Sequence, residues 1–158
     1  PAKSRQVVGF VNWETAKTGV LLVAKEDVAP EYVACFTEFL RGRVTLDVVY
    51  YVASAKRIPR EKGEREHYLT PKSVAFSGRL KEEELRNVWG KSYDLLVDLS
   101  EKPNGIYDYL AGQMKAKCRI GRGREGGRYD IEFADVRSAE DWREQLEYLL
   151  KEIKTESK

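Results

Sequence analysis

Histidine, methionine and cysteine are the scarcest chemically useful residues in this chain. It has one histidine, one methionine and two cysteines among 158 residues. A zinc site needs several clustered ligands, and a disulfide framework needs patterned cysteines. Cys35 and Cys118 lie in different predicted buried elements, so we expect both to be reduced, with no metal and no cofactor bound.

Long apolar runs are also missing. None approaches the length of about 18 residues that a membrane-spanning helix requires, and the N-terminal residues lack the pattern of a signal peptide. We therefore expect a cytoplasmic protein with no membrane partner. With 42% hydrophobic and 34% charged residues, residues 1–158 are predicted to form a single domain. Within it, residues 1–18 show no clear pattern, and residues 155–158 are predicted to be a mobile tail.

Short β-branched runs alternate with amphipathic stretches, the pattern of βαβ units around a parallel sheet. Strands are predicted at residues 20–24, 44–53, 74–76, 93–99, 117–121 and 128–133. Helices are predicted at residues 30–42, 80–89, 106–114 and from Ser138 onward. The last two strands flank a glycine-rich segment, which predicts a hairpin. The expected fold is a single three-layer, Rossmann-like α/β domain. Its mostly parallel sheet has about six strands, with an antiparallel C-terminal hairpin strand.

No catalytic machinery is evident, and we expect no catalytic residues. His67 lies in a polar loop predicted to run from Ser54 to Pro71, where a lone histidine is typically solvated. No serine stands in a GxSxG elbow, and neither cysteine has an evident basic partner. The glycines of residues 121–127 precede a predicted strand rather than a helix, so they do not predict a phosphate-binding loop.

The net charge of +2 is unevenly distributed. Residues 56–72 carry a net charge of +3 and residues 115–128 a net charge of +5. Basic loops and hairpins suit contact with the phosphate backbone of RNA or DNA, although a solvated surface is an equally simple interpretation. The first hypothesis is therefore a non-catalytic module that docks on RNA or a ribonucleoprotein. Its candidate contacts are Lys56, Arg57, Arg60, Lys62, Arg65, Lys117, Arg119, Arg122, Arg124 and Arg128.

Polar residues follow the strand predicted at residues 93–99. Asp98 and Ser100 end this strand and Asn104 begins the next helix, where open parallel sheets bind ligands. A second hypothesis is therefore a nucleotide- or sugar-nucleotide-binding domain that uses these three residues. The alternative is structural, with Asp98 or Ser100 bonding loop amides and Asn104 capping the helix. A third hypothesis is a protein-interaction or assembly subunit, because Phe10 and Trp13 lie in the N-terminal segment.

Several segments resemble known families. The stretches NWETAKTGVLLVA (12–24), YDLLVDLS (93–100), AKCRIG (116–121) and YDI (129–131) resemble an uncharacterised bacterial family of Rossmann-like domains. Residues 93–121 are also similar to part of the N-terminal domain of heptosyltransferases. Residues 24–28 lack the Gly-Asp turn of those enzymes, and their donor-binding C-terminal half has no counterpart here. That resemblance therefore implies the fold and counts against transferase activity.

Overall fold

The computed structural model of the chain describes residues 3–4, 13–123, 128–134 and 136–156. Its strands are β1 (Lys3–Ser4), β2 (Thr18–Ala24), β3 (Thr45–Tyr51), β4 (Glu66–Leu69), β5 (Ser92–Asp98), β6 (Lys115–Gly121) and β7 (Ile131–Glu132). Its α-helices are α1 (Pro30–Arg41), α2 (Glu83–Gly90), α3 (Gly105–Gln113) and α4 (Ala139–Glu156). The predicted α/β organisation is confirmed. Residues 155 and 156, predicted as tail, continue α4, while 157 and 158 lie outside the described residues.

The strands form one sheet in the order β1-β7-β6-β5-β2-β3-β4. Neighbouring strands from β7 to β4 are parallel, and only the two-residue β1 pairs antiparallel, with β7. Counted without β1, the six parallel strands follow the doubly wound order of a Rossmann-like sheet, which reverses direction between β2 and β5. The central strands β2 and β5 each contain a continuous apolar run, Val20 to Ala24 and Leu95 to Val97, because both of their faces are covered.

Helices cover both faces of the sheet and make a three-layer domain. On one face α1 and α4 pack through Phe36, Leu40 and Trp142. On the other face α2 and α3 pack through Leu85, Val88 and Leu110. Each helix turns an apolar stripe towards the sheet, as the spacing of its apolar residues predicts.

Two strand predictions are wrong. The predicted antiparallel hairpin is absent, because Ile120 pairs with Ile131 in a parallel register. The short strand expected at residues 74–76 is replaced by an isolated bridge between Val74 and Leu80. The strand that pairs with β3 on the side away from β2 is β4, which lies inside the stretch predicted to be a polar loop. Residues 124–127, the predicted hairpin tip, lie outside the described residues.

Two connections between parallel strands contain no α-helix among their described residues. The β3–β4 connection crosses the α1 face, where Ile58 packs against the core, and it leaves a groove of about 720 Å³ beside Val33 and Tyr50. The β6–β7 connection brings Arg128 and Tyr129 to the α3 face, where a second depression opens. The sheet is therefore less completely covered near each edge, on opposite faces.

Candidate functional site

The depression on the α3 face is a polar cleft of about 440 Å³ beside the carboxyl end of β5. We call it the α3 cleft. Strand β5 contributes Asp98, the last residue of the strand. Side chains from α3 and from the β6–β7 connection complete the lining, among them Asp108, Tyr109, Gln113, Arg128 and Tyr129. Its volume falls in the range of small-molecule sites.

Asp98 joins three elements at the floor of this cleft. Its side chain is almost completely buried. One carboxylate oxygen accepts hydrogen bonds from the Tyr107 hydroxyl at 2.6 Å and the Ser100 amide at 2.9 Å. The other accepts from the Tyr129 hydroxyl at 2.5 Å. The carboxylate therefore fixes α3 and the β6–β7 connection against the end of β5, and it orients the Tyr129 ring at the cleft wall.

Arg119 connects α3 to the β6–β7 connection at the other end of the cleft. Its guanidinium donates to the carbonyl oxygens of Ala111, Met114 and Arg128 at 2.7, 2.8 and 3.1 Å. Burial lowers the pKa of Arg119 from its usual value, against the opposing charges of Tyr129 and Asp98. Three hydrogen bonds to backbone carbonyls make Arg119 a structural connector between α3 and the β6–β7 connection.

The other two predicted ligand residues stabilise backbone. The Ser100 hydroxyl donates to the Lys102 carbonyl oxygen at 3.1 Å, and Ser100 is buried. Asn104 caps α3 by accepting from the Tyr107 amide at 3.2 Å, and its own amide donates to Asp108 at 3.0 Å. Of the three predicted ligand residues, only Asp98 lines the cleft. Ser100 and Asn104 instead stabilise the loop and the helix N-terminus, as the structural interpretation of the sequence expects.

The basic residues predicted in the second charged stretch have separate environments. Lys117 lies 3.4 Å from Asp94. Arg122 pairs with Glu101 at 2.5 Å, and its guanidinium stacks over the rings of Tyr32 and Trp142. Arg128 is exposed at the cleft, and Arg124 lies outside the described residues. The described side chains of this stretch therefore do not present one common basic face.

The first charged stretch retains an exposed basic surface. Lys56, Arg57, Arg60 and Lys62 are all exposed on the β3–β4 connection, and we call them the basic loop. Arg65, at the end of this connection, lies 3.5 Å from the Asp47 carboxylate. Strands β3, β2 and β5 separate β4 from β6, so the two strands next to these charged stretches are roughly 19 Å apart.

A buried charged cluster at the amino ends of β3 and β5 was not predicted from the sequence. Asp47 accepts from the Tyr93 hydroxyl at 2.7 Å and from the Lys91 ammonium at 3.2 Å. His67 lies on β4, with Nδ1 at 2.5 Å from Glu84 and Nε2 at 3.5 Å from Asp47. Its side chain is only 12% exposed, so the prediction of a solvated histidine is wrong. The signal that could have found it is the alternation of residues 66–69, in which His67 and Leu69 share a face.

The cluster links α2 to the sheet through charge. Burial by itself would raise the pKa of Asp47, but hydrogen bonds from Tyr93 and Lys91 outweigh it, and the pKa is lower than usual. Burial and the neighbouring Asp47 carboxylate raise the pKa of Tyr93. Because both nitrogens of His67 face carboxylates, neither is directed at a substrate, and the arrangement is that of a structural network.

The N-terminal aromatic residue Trp13 belongs to the core. It is buried, its ring stacks on Phe39 at 5.5 Å between centroids, and the Arg43 guanidinium lies over it at 4.9 Å. Phe10 lies outside the described residues. Trp13 therefore does not provide an exposed surface for a protein partner.

Within the described residues, no helix is long and apolar enough to cross a bilayer. Nor do the described His, Cys, Asp and Glu side chains form a group of three that could hold a metal ion.

Strand order and cleft together define a doubly wound, Rossmann-like α/β domain with a polar cleft at the carboxyl end of β5. The chain belongs to a family of unknown function (DUF6913), whose model matches residues 2–153. No curated protein and no solved structure matches the chain in the comparisons. The membership of an uncharacterised family is thus confirmed, whereas the similarity to heptosyltransferases gains no support.

Proposed function

We propose that this domain binds a small hydroxylated ligand with an anionic group, of the nucleotide or sugar-nucleotide class, in the α3 cleft. The observation that carries the proposal is the cleft itself, about 440 Å³ in volume and beside the carboxyl end of a parallel strand. Open α/β sheets bind ligands at such strand ends, and pockets of this size accept small molecules.

The chemistry of the lining matches such a ligand at two points. The side-chain amide of the exposed Gln113 offers both a donor and an acceptor to the hydroxyl groups of a ligand. Gln113 and Arg128 are exposed on the same cleft. Of these, the Arg128 guanidinium supplies a positive charge with paired donors, the arrangement that phosphate and carboxylate groups prefer.

The proposed role is binding without chemistry. The sequence contains one histidine, and it lies on β4, separated from β6 by three strands. Asp98 is held by two tyrosine hydroxyls and an amide, which favours a positioning role over proton transfer.

A thermal-shift and calorimetry panel tests the proposal. The panel contains nucleoside diphosphates, UDP-glucose, ribose 5-phosphate and glucose 1-phosphate. A ligand at 100 times its Kd stabilises the folded state by about 2.7 kcal/mol, which raises the Tm by roughly 5–10 °C at this chain length. Arg128→Ala should abolish most of the shift, whereas Arg137→Ala, an exposed cation away from the lining, should leave it unchanged. Absence of a shift with every compound would refute the proposal.

Docking on RNA is a second candidate, and the observation that favours it is the basic loop. Four exposed cations lie within residues 56–62, with Glu61 as the one acidic residue among them. Such a group supplies affinity for phosphates without sequence readout.

Co-sedimentation with ribosomes or total RNA across a salt series tests this candidate. Replacing the four cations of the basic loop by alanine should remove binding at low salt. The control replaces four exposed cations elsewhere, Lys72, Lys81, Arg137 and Lys151, and should bind like the wild type. Equal binding by both variants, or none by the wild type at low salt, would eliminate this candidate.

A further inference from the structure

We infer that a hairpin carrying Phe76 supplies a stacking surface at the mouth of the α3 cleft, and that the ligand therefore carries a nucleobase. This inference rests on the proposed function and narrows its ligand class to nucleotides and their derivatives. It depends on the exposure of Phe76, the position of the hairpin and the rigidity of its base.

Phe76 is fully exposed, with a relative accessibility of 111%. It lies in a tight turn closed by the hydrogen bond from the Gly78 amide to the Ala75 carbonyl oxygen at 2.8 Å. The turn needs glycine at residue 78, where φ is +88°. A single exposed aromatic residue is common on protein surfaces, so its position relative to the cleft decides its significance.

The hairpin approaches α3 at the cleft. A side chain at Gly78 would begin 2.8 Å from the Tyr109 hydroxyl, and Tyr109 lines the cleft. Phe76 is two residues from Gly78, so their Cα atoms are at most about 7 Å apart. Tyr109 itself is 48% exposed. The Cα atom of Phe76 therefore lies at most about 11 Å from the hydroxyl of a half-exposed tyrosine that lines the cleft.

The base of the hairpin is firmly held. The Ser73 carbonyl oxygen accepts from the Lys81 amide at 2.9 Å, and Leu80 is buried. Arg86 of α2 donates to the carbonyl oxygens of Leu80 and Lys81 at 3.0 and 2.6 Å. A ring presented on a fixed backbone loses less conformational entropy when a ligand stacks on it.

These observations favour a planar aromatic group as one part of the ligand. Every nucleobase offers a π-face, and stacking on an aromatic side chain is the usual way that proteins bind a base without reading its identity. The anionic part of the same ligand would contact Arg128, on the β6–β7 connection. A nucleotide combines both groups, whereas a sugar phosphate has only the second.

Calorimetric titration of the wild type and Phe76→Ala with ADP, UDP, GDP, CDP and ribose 5-phosphate tests this inference. Phe76→Ala should weaken nucleoside diphosphate binding about tenfold, a typical loss of one base–aromatic stack, and leave ribose 5-phosphate unchanged. Phe76→Trp should restore the affinity. Tyr148→Ala is the matched control, because Tyr148 is an exposed aromatic residue on α4, and it should bind like the wild type.

The remaining outcomes separate the two proposals. Wild-type affinity of Phe76→Ala for the nucleotides would overturn the inference and leave the ligand site standing. If the wild-type protein bound ribose 5-phosphate as tightly as the nucleotides, the inference would also be overturned and the ligand site would stand. If the wild type binds none of these compounds, nor the sugar compounds of the wider panel, the proposed function fails and the inference fails with it.

Discussion

Replacing Asp47 by asparagine removes one negative charge from the buried cluster while keeping the side-chain volume. The buried Tyr93 hydroxyl donates to this carboxylate at 2.7 Å, and such a bond to a charged group contributes about 1.5–3 kcal/mol. Lys91 and Arg65 are 48% and 46% exposed, so each ion pair adds at most about 1 kcal/mol. Because asparagine still offers Tyr93 one acceptor, the expected loss is about 2–3 kcal/mol, or roughly 5–10 °C in Tm.

The same change should alter the pH dependence of stability. The folded pKa of Asp47 lies below its ordinary value, so its contribution is complete above about pH 4 and is lost as the pH falls through the folded pKa. Urea unfolding of wild type and Asp47→Asn from pH 7 to pH 3 should show a gap that narrows below pH 4. Glu144→Gln, at an exposed position of α4, is the control. A gap under about 0.5 kcal/mol at pH 7, or one that persists unchanged to pH 3, would refute the reasoning.

Three further perturbations probe the cleft and the core. Arg119→Lys should lower the free energy of unfolding in urea by about 1.5–3 kcal/mol, because an ammonium cannot reach three separate carbonyl oxygens. A loss below about 0.5 kcal/mol would contradict the role of Arg119 as a connector. Gly121→Ala should displace the Tyr129 ring, because a Cβ at residue 121 would overlap it. The change should lower the ligand affinity, and it should lower the free energy of unfolding by about 1–3 kcal/mol. Unchanged affinity would count against Tyr129 as a cleft wall. Burial raises the pKa of Cys118 to about 12, so a thiol reagent should titrate only Cys35 until the protein is unfolded, and rapid reaction of both thiols in the native state would contradict this.

Most of the fold follows from local pattern. The apolar run of β2 and the sequence of β5 predict central strands, and their neighbours in the sheet agree. The sequence predicts Ser138 as the N-cap of the last helix, and its hydroxyl accepts from the Asp141 amide at 3.0 Å. The direction of β7 was mispredicted because a short glycine-containing link usually makes a hairpin. Here the Asp130 amide donates to the Arg119 carbonyl oxygen, and the Asp130 carboxylate accepts from the Arg119 amide. The chain runs parallel to β6 instead.

The candidate site was less accessible to sequence reasoning. Asp98 was singled out because it ends a strand, a local property. Tyr107 and Tyr129 reach it from 9 and 31 residues away, and no spacing rule connects such positions. Counting charges identified Arg119 and Arg122 as surface cations, yet their guanidinium groups bond backbone carbonyls and stack on aromatic rings. Charge is a property of the sequence, whereas its availability to a partner depends on tertiary contacts.

The described parts of the β3–β4 and β6–β7 connections contain no α-helix, and this has a consequence for local unfolding. β2 and β5 are the two innermost of the six parallel strands, whereas β4 and β7, the outermost of the six, have less cover on one face. Opening free energies within a protein rise from weakly covered edges to the fully packed centre. Amide hydrogen exchange should therefore be slowest along β2 and β5 and faster along β4 and β7. A ligand in the α3 cleft would slow exchange along β7, and a partner on the basic loop would slow it along β4. The exchange map would thus report which of the two surfaces the cell uses.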